Sequence, residues 1–476
     1  MTMAVVTTEL IIVTVYMLIV LGIGVYFYNR RESDDFWRAG GEVSTVVNSV
    51  ALFAALASGG AFLGALGVAY SLGAPFIWSL AAGATFGVLI GSVLIGKPLR
   101  EVGAYTITDI FDVIYKDKRI NTLAPILVII GFLIYVIAQL KAAGVVTEFL
   151  LPIDYTVAVV IAGFVFLVYV AIGGMWAITV TDFLQGTLMG ILSLIIASYS
   201  IIYFGGSISA PLTETPRIAN MAPLPTISYL GFFLIWLVVS PVIPHVLMRV
   251  FSSESSASAR RSLAWLAFLF GTYTVVTFYI VSAAAISINP ELQNADFALI
   301  VVMENVLPVA VSGFAAATIL AAVMSTTDAL LLSISASVSN DIYKLVINPD
   351  ASEETVVRLG TIAVVVAGIF AIIVAALDPP PLLVELFTDA MGFMGSGLSL
   401  PMILGVWWRR TTKNGALAGM IAGAGTYAAL WPFLPTFAPI IVSLPVSLIV
   451  VVAVTLLDDK PAQEDLRRRH TKFKHQ

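Results

Sequence analysis

The feature that most limits what this chain can fold into is a run of apolar segments, each about 20 residues long, repeated from one end to the other. About thirteen can be laid out, centred near residues 18, 58, 86, 135, 164, 192, 239, 275, 324, 366, 394, 423 and 447. In lipid each segment must satisfy its own backbone polar groups, which leaves the helix as the element for a single run. The expectation is an all-α integral membrane protein of the cell membrane. Composition agrees: 59% of residues are hydrophobic and 11% charged, against about 25% charged in an ordinary soluble domain.

Charge order sets an orientation. Glu9 precedes the first segment, near Leu10 to Tyr28, and Arg30 and Arg31 follow it. A secretory signal has the reverse order, so the segment reads as a retained helix with its N-terminus outside. An odd number of spans then puts the C-terminus in the cytoplasm. Of the 24 Lys and Arg residues, all but Lys141 and Arg217 fall at ends or loops that this alternation places inside, Arg249 among them. The outer connections carry Glu148, Asp154, Glu214, Glu291 and Asp296.

Several function classes drop out. No cysteine is present, which removes disulfides, thiolate metal sites and cysteine nucleophiles. The histidines are His245, His470 and His475, two of them in the tail, so neither a histidine triad nor a zinc cluster can be assembled and no enzyme is expected. A net charge of -5 without a basic stripe argues against nucleic acid. The partners left are the lipid bilayer and a small molecule; no obligate protein partner is evident.

Two segments carry helix breakers at membrane depth. "FAALASGGAFLG" places Ser58, Gly59 and Gly60 mid-span, and "SPVIPHVLMR" places Pro241 and Pro244 inside a span. Such breaks survive where the freed backbone faces protein or a water-filled cavity. The two lie five spans apart, so five-helix units starting at each would run in opposite directions. That is the layout of an inverted-repeat transporter with its binding site at the broken helices. Close glycine packing and a simple proline kink are the competing explanations for either segment alone.

"AAVMSTTDALLLSISASVSND", Ala321 to Asp341, is polar for a membrane helix. At about 100° per residue, Ser325, Asp328, Ser335 and Ser339 share a face flanked by Ala322, Thr326, Ala329 and Ser333. Leu330, Leu331, Ile334 and Val338 take the other side. Ser333 to Ser339 read as packing residues. Asp328 differs, since a central carboxylate costs about 2.5–3.5 kcal/mol even on insertion scales, and it requires a cation, a proton or an internal partner. Carbonyls from the broken segment and hydroxyls from this one suit a hard monovalent cation such as Na⁺.

These residues stand in an order that resembles the sodium/solute symporter family, most closely its acetate-permease and monocarboxylate-transporter branch. The resemblance runs from "DFWRAGG" (35–41) through "FLGALGVAYSLG" (62–73), "YVIAQLKAAG" (135–144), "YVAIGGMWAITVTDFLQG" (169–186), "PHVLMRVF" (244–251) and "AAVMSTTDALLL" (321–332) to "LGVWWRRTTKNGALAG" (404–419). It implies a leucine-transporter-type fold with ten core helices in two inverted halves, and Na⁺-driven transport. The implied sodium site joins the carbonyls of Ala54 and Ala57 to Ala322, Ser325 and Thr326. Asp182, with Thr181 and Gln185 nearby, matches a position on the inward ion path, and Asp328 is placed to face it as a second ion or proton path. Where several members carry an Asp, this chain has Ala55, and coupling to H⁺ through Asp182 or Asp328 stays open.

The expected division is an extra N-terminal helix with its link (1–44), a first repeat (45–206), an outer loop (207–227), a second repeat (228–408), two C-terminal helices (409–457) and a basic cytoplasmic tail (458–476). Substrate-site candidates are Ser58, Gly59, Gly60, Gln139 and Trp236. The expected substrate is an organic anion, a monocarboxylate such as acetate or pyruvate, carried by alternating access. The alternatives are proline or another amino acid, pantothenate, a sugar, or a transporter-like nutrient sensor. Two readings stand for Lys141, pairing with substrate or reaching the outer interface, and two for His245, proton relay or packing. Glu385 and Asp389 stand between an entrance role and simple solvation.

Overall fold

The computed structural model describes residues 2–27, 39–94, 104–151, 153–377 and 383–459, with Trp37, Arg100, Val102 and Pro461 as single positions. The sequence readings on Arg30, Arg31, Arg38, Lys97, most of the 28–38 link and most of the basic tail lie outside these residues. The described chain is helical throughout, with one isolated bridge between Val43 and Ser253.

The first helix, α1, spans Thr2–Phe27. Next comes a broken span, α2 (Thr45–Leu56) and α3 (Gly60–Leu72), bent by 61° at the break. There Ala57 turns to φ -79°, ψ 64° and the Ser58 amide bonds back to the Leu56 carbonyl at 2.9 Å. That diverts the donor which would have reached Ala54 in an unbroken helix. Glycine is needed beyond it, because a Cβ on Gly59 would sit 2.1 Å from Val323 Cγ2.

Helices α4 (Ala74–Leu94), α5 (Ile107–Tyr115), α6 (Lys118–Leu150) and α7 (Tyr155–Tyr203) follow. Asp117 and Asp154 cap the starts of α6 and α7, each accepting a backbone N–H at 2.9 Å. At 1.5 Å per residue the 49 residues of α7 would far exceed a bilayer. The helix does not run straight between its two apolar parts, Tyr155–Val170 and Met175–Tyr203. The Tyr169 hydroxyl meets Thr181 Oγ1, a contact that a straight helix would spread over roughly 18 Å.

A second interrupted span comprises α8 (Thr226–Val239) and α9 (Pro244–Ser252). Between them Ser240–Val242 form a tight turn and Ile243 is extended. Pro241 and Pro244 lack the N–H groups an unbroken helix would need. The rest are α10 (Ser256–Ile288), the short α11 (Ala298–Val306), α12 (Val309–Ile347), α13 (Glu353–Leu377), α14 (Leu383–Trp407), α15 (Lys413–Leu430) and α16 (Pro439–Leu457). Among the described residues ten helices, and an eleventh span if the bent pair counts as one, are long and apolar enough to cross a membrane. Of the other expected spans, Tyr155–Val170 is shorter and Lys413–Leu430 less apolar.

Both broken spans pack with α4, the first also with α7 and α10 and the second with α14, while α6, α7, α12 and α13 pack on one another, and α1 leans on α7 and α12. At the end bearing Arg260, Arg261, Lys344 and Lys413, here called the basic end, the halves α2 and α9 are tied together. Asn48 Nδ2 donates to the Arg249 carbonyl at 3.0 Å and to Ser253 Oγ at 2.8 Å, and the Val43 amide donates to Ser252 O at 3.0 Å.

Candidate functional site

The break in the first span meets α12 side on. Ser325 Oγ lies 2.9 Å from Ala54 O and 3.2 Å from Ala322 O, and Thr326 Oγ1 lies 3.2 Å from Ala55 O. All are buried. Ala54, Ala322, Ser325 and Thr326 therefore come together as the sequence predicts. Ala55 joins them, a carbonyl that side-chain reasoning passes over because its side chain is a methyl. The Ala57 carbonyl accepts no hydrogen bond among the described residues. Two hydroxyls with the carbonyls of Ala54, Ala55 and Ala322, at the same break as the unpartnered Ala57 carbonyl, are a neutral oxygen set that suits a weakly charged hard cation.

One turn further toward the basic end the sequence expectation needs correction. Arg249 does not sit at a solvated span end; it is fully buried, with 1% of its surface exposed, and its Nη2 pairs with Asp182 Oδ2. The break at 240–243 stops the span early and carries α9 back inside the protein. Asp328 faces Arg249 as well, so the two carboxylates share one guanidinium. Neither Asp328 oxygen finds a hydrogen bond of good geometry among the described residues, and Asp182 Oδ1, Arg249 Nε and Arg249 Nη1 are likewise unmatched. The triad holds two acids and one base, one negative charge in excess when all are ionised. Thr181 bonds its own helix at Ala177 O, 2.9 Å, as well as Tyr169. Gln185 donates to Tyr16 of α1 at 2.8 Å.

Toward the other end, three aromatic rings close around Gly59 and Gly60. Phe387 stacks on Tyr135 with centroids 5.5 Å apart, and Trp236 meets Phe387 edge-on at 6.1 Å. A Cβ on Gly60 would fall 2.7 Å from Phe387 Cδ1, and one on Gly59 would fall 3.0 Å from Gln139 Oε1. Ser58 Oγ accepts from the Ala61 amide at 3.1 Å. Both amide atoms of Gln139 and the Trp236 Nε1 are buried without a hydrogen-bond partner among the described residues. Native interiors rarely leave such groups unmatched unless a ligand or water completes them. All five predicted substrate-site residues line this slot. Phe387 does not stand out in the sequence, being one aromatic on an apolar helix. His245 packs edge-on to Phe132 and Tyr135, at 5.3 and 6.4 Å, and neither ring nitrogen has a hydrogen bond of good geometry among the described residues.

The remaining charges lie above the slot. Lys141 neither reaches the interface nor faces the slot alone; its Nζ is 3.9 Å from Asp296 Oδ2, with both side chains buried. Burial pushes the Asp296 carboxyl up to about 6, against the opposing pull of Lys141. Asp389 accepts from Tyr427 Oη and Trp431 Nε1, each at 2.8 Å, which fixes α14 against the end of α15.

Comparison with known proteins agrees with this arrangement. The sodium:solute symporter family matches residues 36–423. A sodium/proline symporter of Staphylococcus aureus (strain JH9) is 26% identical over 433 residues, covering 87% of this chain and 84% of the relative. Among solved structures, the substrate-bound outward-open state of a Na⁺-coupled sialic acid symporter superimposes with a TM-score of 0.82 at 21% identity, over 96% of this chain and 98% of the other. The nucleobase-cation-symport-1 family transporter Mhp1, closed on bromovinylhydantoin, gives 0.61 at 14% identity, over 91% and 97%. The fold is thus of the leucine-transporter type, all-α and multi-pass, and the protein is a cell-membrane transporter rather than an enzyme. The family match over most of its length places the chain in the sodium:solute symporter family, whose members couple solute uptake to Na⁺.

Proposed function

We propose that the chain is a Na⁺-coupled symporter of a small monocarboxylate such as acetate or pyruvate, working by alternating access. The observation that carries this reading is the slot at Gly59 and Gly60: aromatic walls, unmatched Gln139 and Trp236 donors, and no acidic side chain against Gly60. The N-terminal end of α3 lies at the break, where the helix dipole favours an anionic group, with the amides of Ala61 and Phe62 already held by the Ser58 carbonyl. Na⁺ would be carried at Ala54, Ala57, Ala322, Ser325 and Thr326, with Ala55 as a further oxygen. Asp182 and Asp328, held by Arg249, would mark its way toward the basic end, with Thr181 bracing the Asp182 turn. The acetate-permease motifs of the sequence support this substrate class.

A second reading is favoured by the Staphylococcus aureus relatives, which are named sodium/proline symporters. Proline adds an ammonium to the carboxylate, and the faces of Tyr135, Trp236 and Phe387 with the free Ala57 carbonyl are chemically able to receive it. Uptake of labelled acetate, pyruvate, proline and glucose into liposomes separates the two. Saturable uptake of acetate or pyruvate, uncompeted by excess proline, is the expected result; proline uptake unaffected by either acid would replace the first reading with the second.

A further inference from the structure

At the basic end, away from the ion site and the slot, α5 starts with a reciprocal cap. Thr106 Oγ1 accepts from the Asp109 amide at 3.2 Å, and Asp109 Oδ2 accepts from the amides of Tyr105 and Thr106 at 2.8 and 3.1 Å. The last turns of α12, Ser337–Ile347, wind more widely than an α-helix and bring Asn340 and Asp341 against this cap. Thr106 Oγ1 donates to Asp341 Oδ1 at 2.8 Å. Asn340 Nδ2 reaches Asp341 Oδ1 at 2.9 Å and Asp109 Oδ1 at 3.2 Å, so a single amide bridges the two carboxylates.

Among the described residues no ion pair joins either acid to a Lys, Arg or His, and Arg100 donates to the carbonyls of Ser253 and Gly41. Asp112, also on α5, adds a third carboxylate near Asp109 and accepts from Asn121 Nδ2 at 2.6 Å. Among charged residues on the surrounding helices, Asp117 and Arg119 bind each other, Arg249 binds Asp182, and Arg358, Glu353 and Glu354 are exposed. Lys344 forms no ion pair among the described residues. Asp341 and Thr108 are fully buried. Two ionised carboxylates this close in such a site repel strongly; one shared hydrogen removes the repulsion, as in acid dyads. Burial, with the Asp112 carboxylate adding to it, pushes the Asp109 carboxyl above its usual range against the hydrogen bonds from Tyr105, Thr106 and Asn340. Most carboxylate oxygens here already accept an N–H or O–H. Between Asp109 and Asp341 the exception is Asp341 Oδ2, which has no hydrogen-bond partner of good geometry among the described residues; Thr108, whose hydroxyl is also unmatched, is a neighbouring side chain of Asp341.

We propose that Asp109 and Asp341 together bind one proton, which joins α5 to the end of α12 and holds the basic end shut. The positive-inside rule assigns that end to the cytoplasm, so the proton is cytosolic. The step is simple proton binding: Asp341 Oδ2 gains a hydrogen that it donates to Thr108 Oγ1. Opening toward the cytoplasm parts α5 from α12, lets water in and releases the proton. Acid in the cytosol therefore favours the closed end and slows solute release.

The test uses the full chain in liposomes with Na⁺-driven uptake of whichever solute is carried, the outer pH fixed and the inner pH varied. Lowering the inner value from about 8 to about 6 should slow wild-type uptake by about threefold or more. Asp341→Asn places an N–H where the acid hydrogen would sit, so its rate should be low and independent of inner pH. Asp109→Asn serves if Asp341→Asn does not fold. A second measurement needs no substrate: infrared spectra of purified protein near neutral pH should show a protonated-carboxyl band that Asp341→Asn removes. A wild-type rate indifferent to inner pH, a variant that keeps the wild-type profile, or identical infrared bands would each overturn the proposal, and none of these bears on which solute is carried.

Discussion

Replacing Ser325 with Ala tests the ion site with a magnitude that the geometry supplies. The Ser325 hydroxyl bonds Ala54 O at 2.9 Å and Ala322 O at 3.2 Å. In the proposed site it would be a ligand for Na⁺, and without the ion it is the group that satisfies the Ala54 carbonyl freed by the break. The substitution removes one charge-assisted contact from the Na⁺-bound state, worth about 1.5–3 kcal/mol. It also leaves Ala54 O unmatched without Na⁺, which raises that state by about 1 kcal/mol and partly offsets the loss. The net weakening is about 0.5–2 kcal/mol, or roughly 2- to 30-fold in half-saturating Na⁺. Titrating Na⁺ against tryptophan fluorescence of purified protein, with K⁺ balancing ionic strength, reads this directly. Thr326→Ala follows the same logic through Ala55 O at 3.2 Å. Half-saturating Na⁺ unchanged within twofold in both variants would refute the assignment.

The triad predicts non-additivity. Asp182→Asn should cost less than the roughly 3–5 kcal/mol typical of breaking a buried ion pair, because Asp328 still faces Arg249. Adding Asp328→Asn should then cost more than the sum of the single changes by over about 1 kcal/mol in detergent unfolding; simple additivity would contradict a shared guanidinium. Gly60→Ala puts a methyl 2.7 Å from Phe387 Cδ1 and should push that ring off Tyr135, weakening solute binding about tenfold while Na⁺ binding without solute stays unchanged. Equal losses of both would count against a slot specific to solute. At the end opposite the basic one, the Asp296 carboxyl is raised to about 6, above its ordinary value, so the folded protein holds more protons than the unfolded chain between these values. Stability should fall as pH rises through roughly 4 to 6, by up to about 3 kcal/mol, and Asp296→Asn should flatten that slope in thermal melts.

How much of this was legible in the sequence depended on what kind of signal each residue gives. The polar face of α12 follows from helical periodicity, and it delivers Ser325 and Thr326 to the carbonyls where the glycines and Ser58 break the first span. Arg249 was misread because hydropathy counts a span as continuous. The two prolines shorten α9 to nine residues, and that shortening, with two intramembrane aspartates lacking a base, was the signal that could have placed it. Phe387 has no polar signature and is found only through its approach to Gly60. Asp109 and Asp341 lie 232 positions apart at segment ends, where acidic residues read as solvated; only tertiary packing reveals that they share a buried site. The extra carbonyl, Ala55 O, is a backbone atom, which residue types do not report.

The central claim is that a Na⁺ gradient drives the solute uphill through the site at Ser325 and Thr326. Accumulation of the carried solute in liposomes under an inward Na⁺ gradient, beside the Ser325→Ala/Thr326→Ala double variant, addresses it most directly. The account predicts accumulation above the outside concentration that collapses when Na⁺ is equalised, and that the double variant loses at Na⁺ levels saturating for wild type. Equal accumulation driven by a proton gradient without Na⁺, or a double variant that concentrates solute as wild type does, would contradict it.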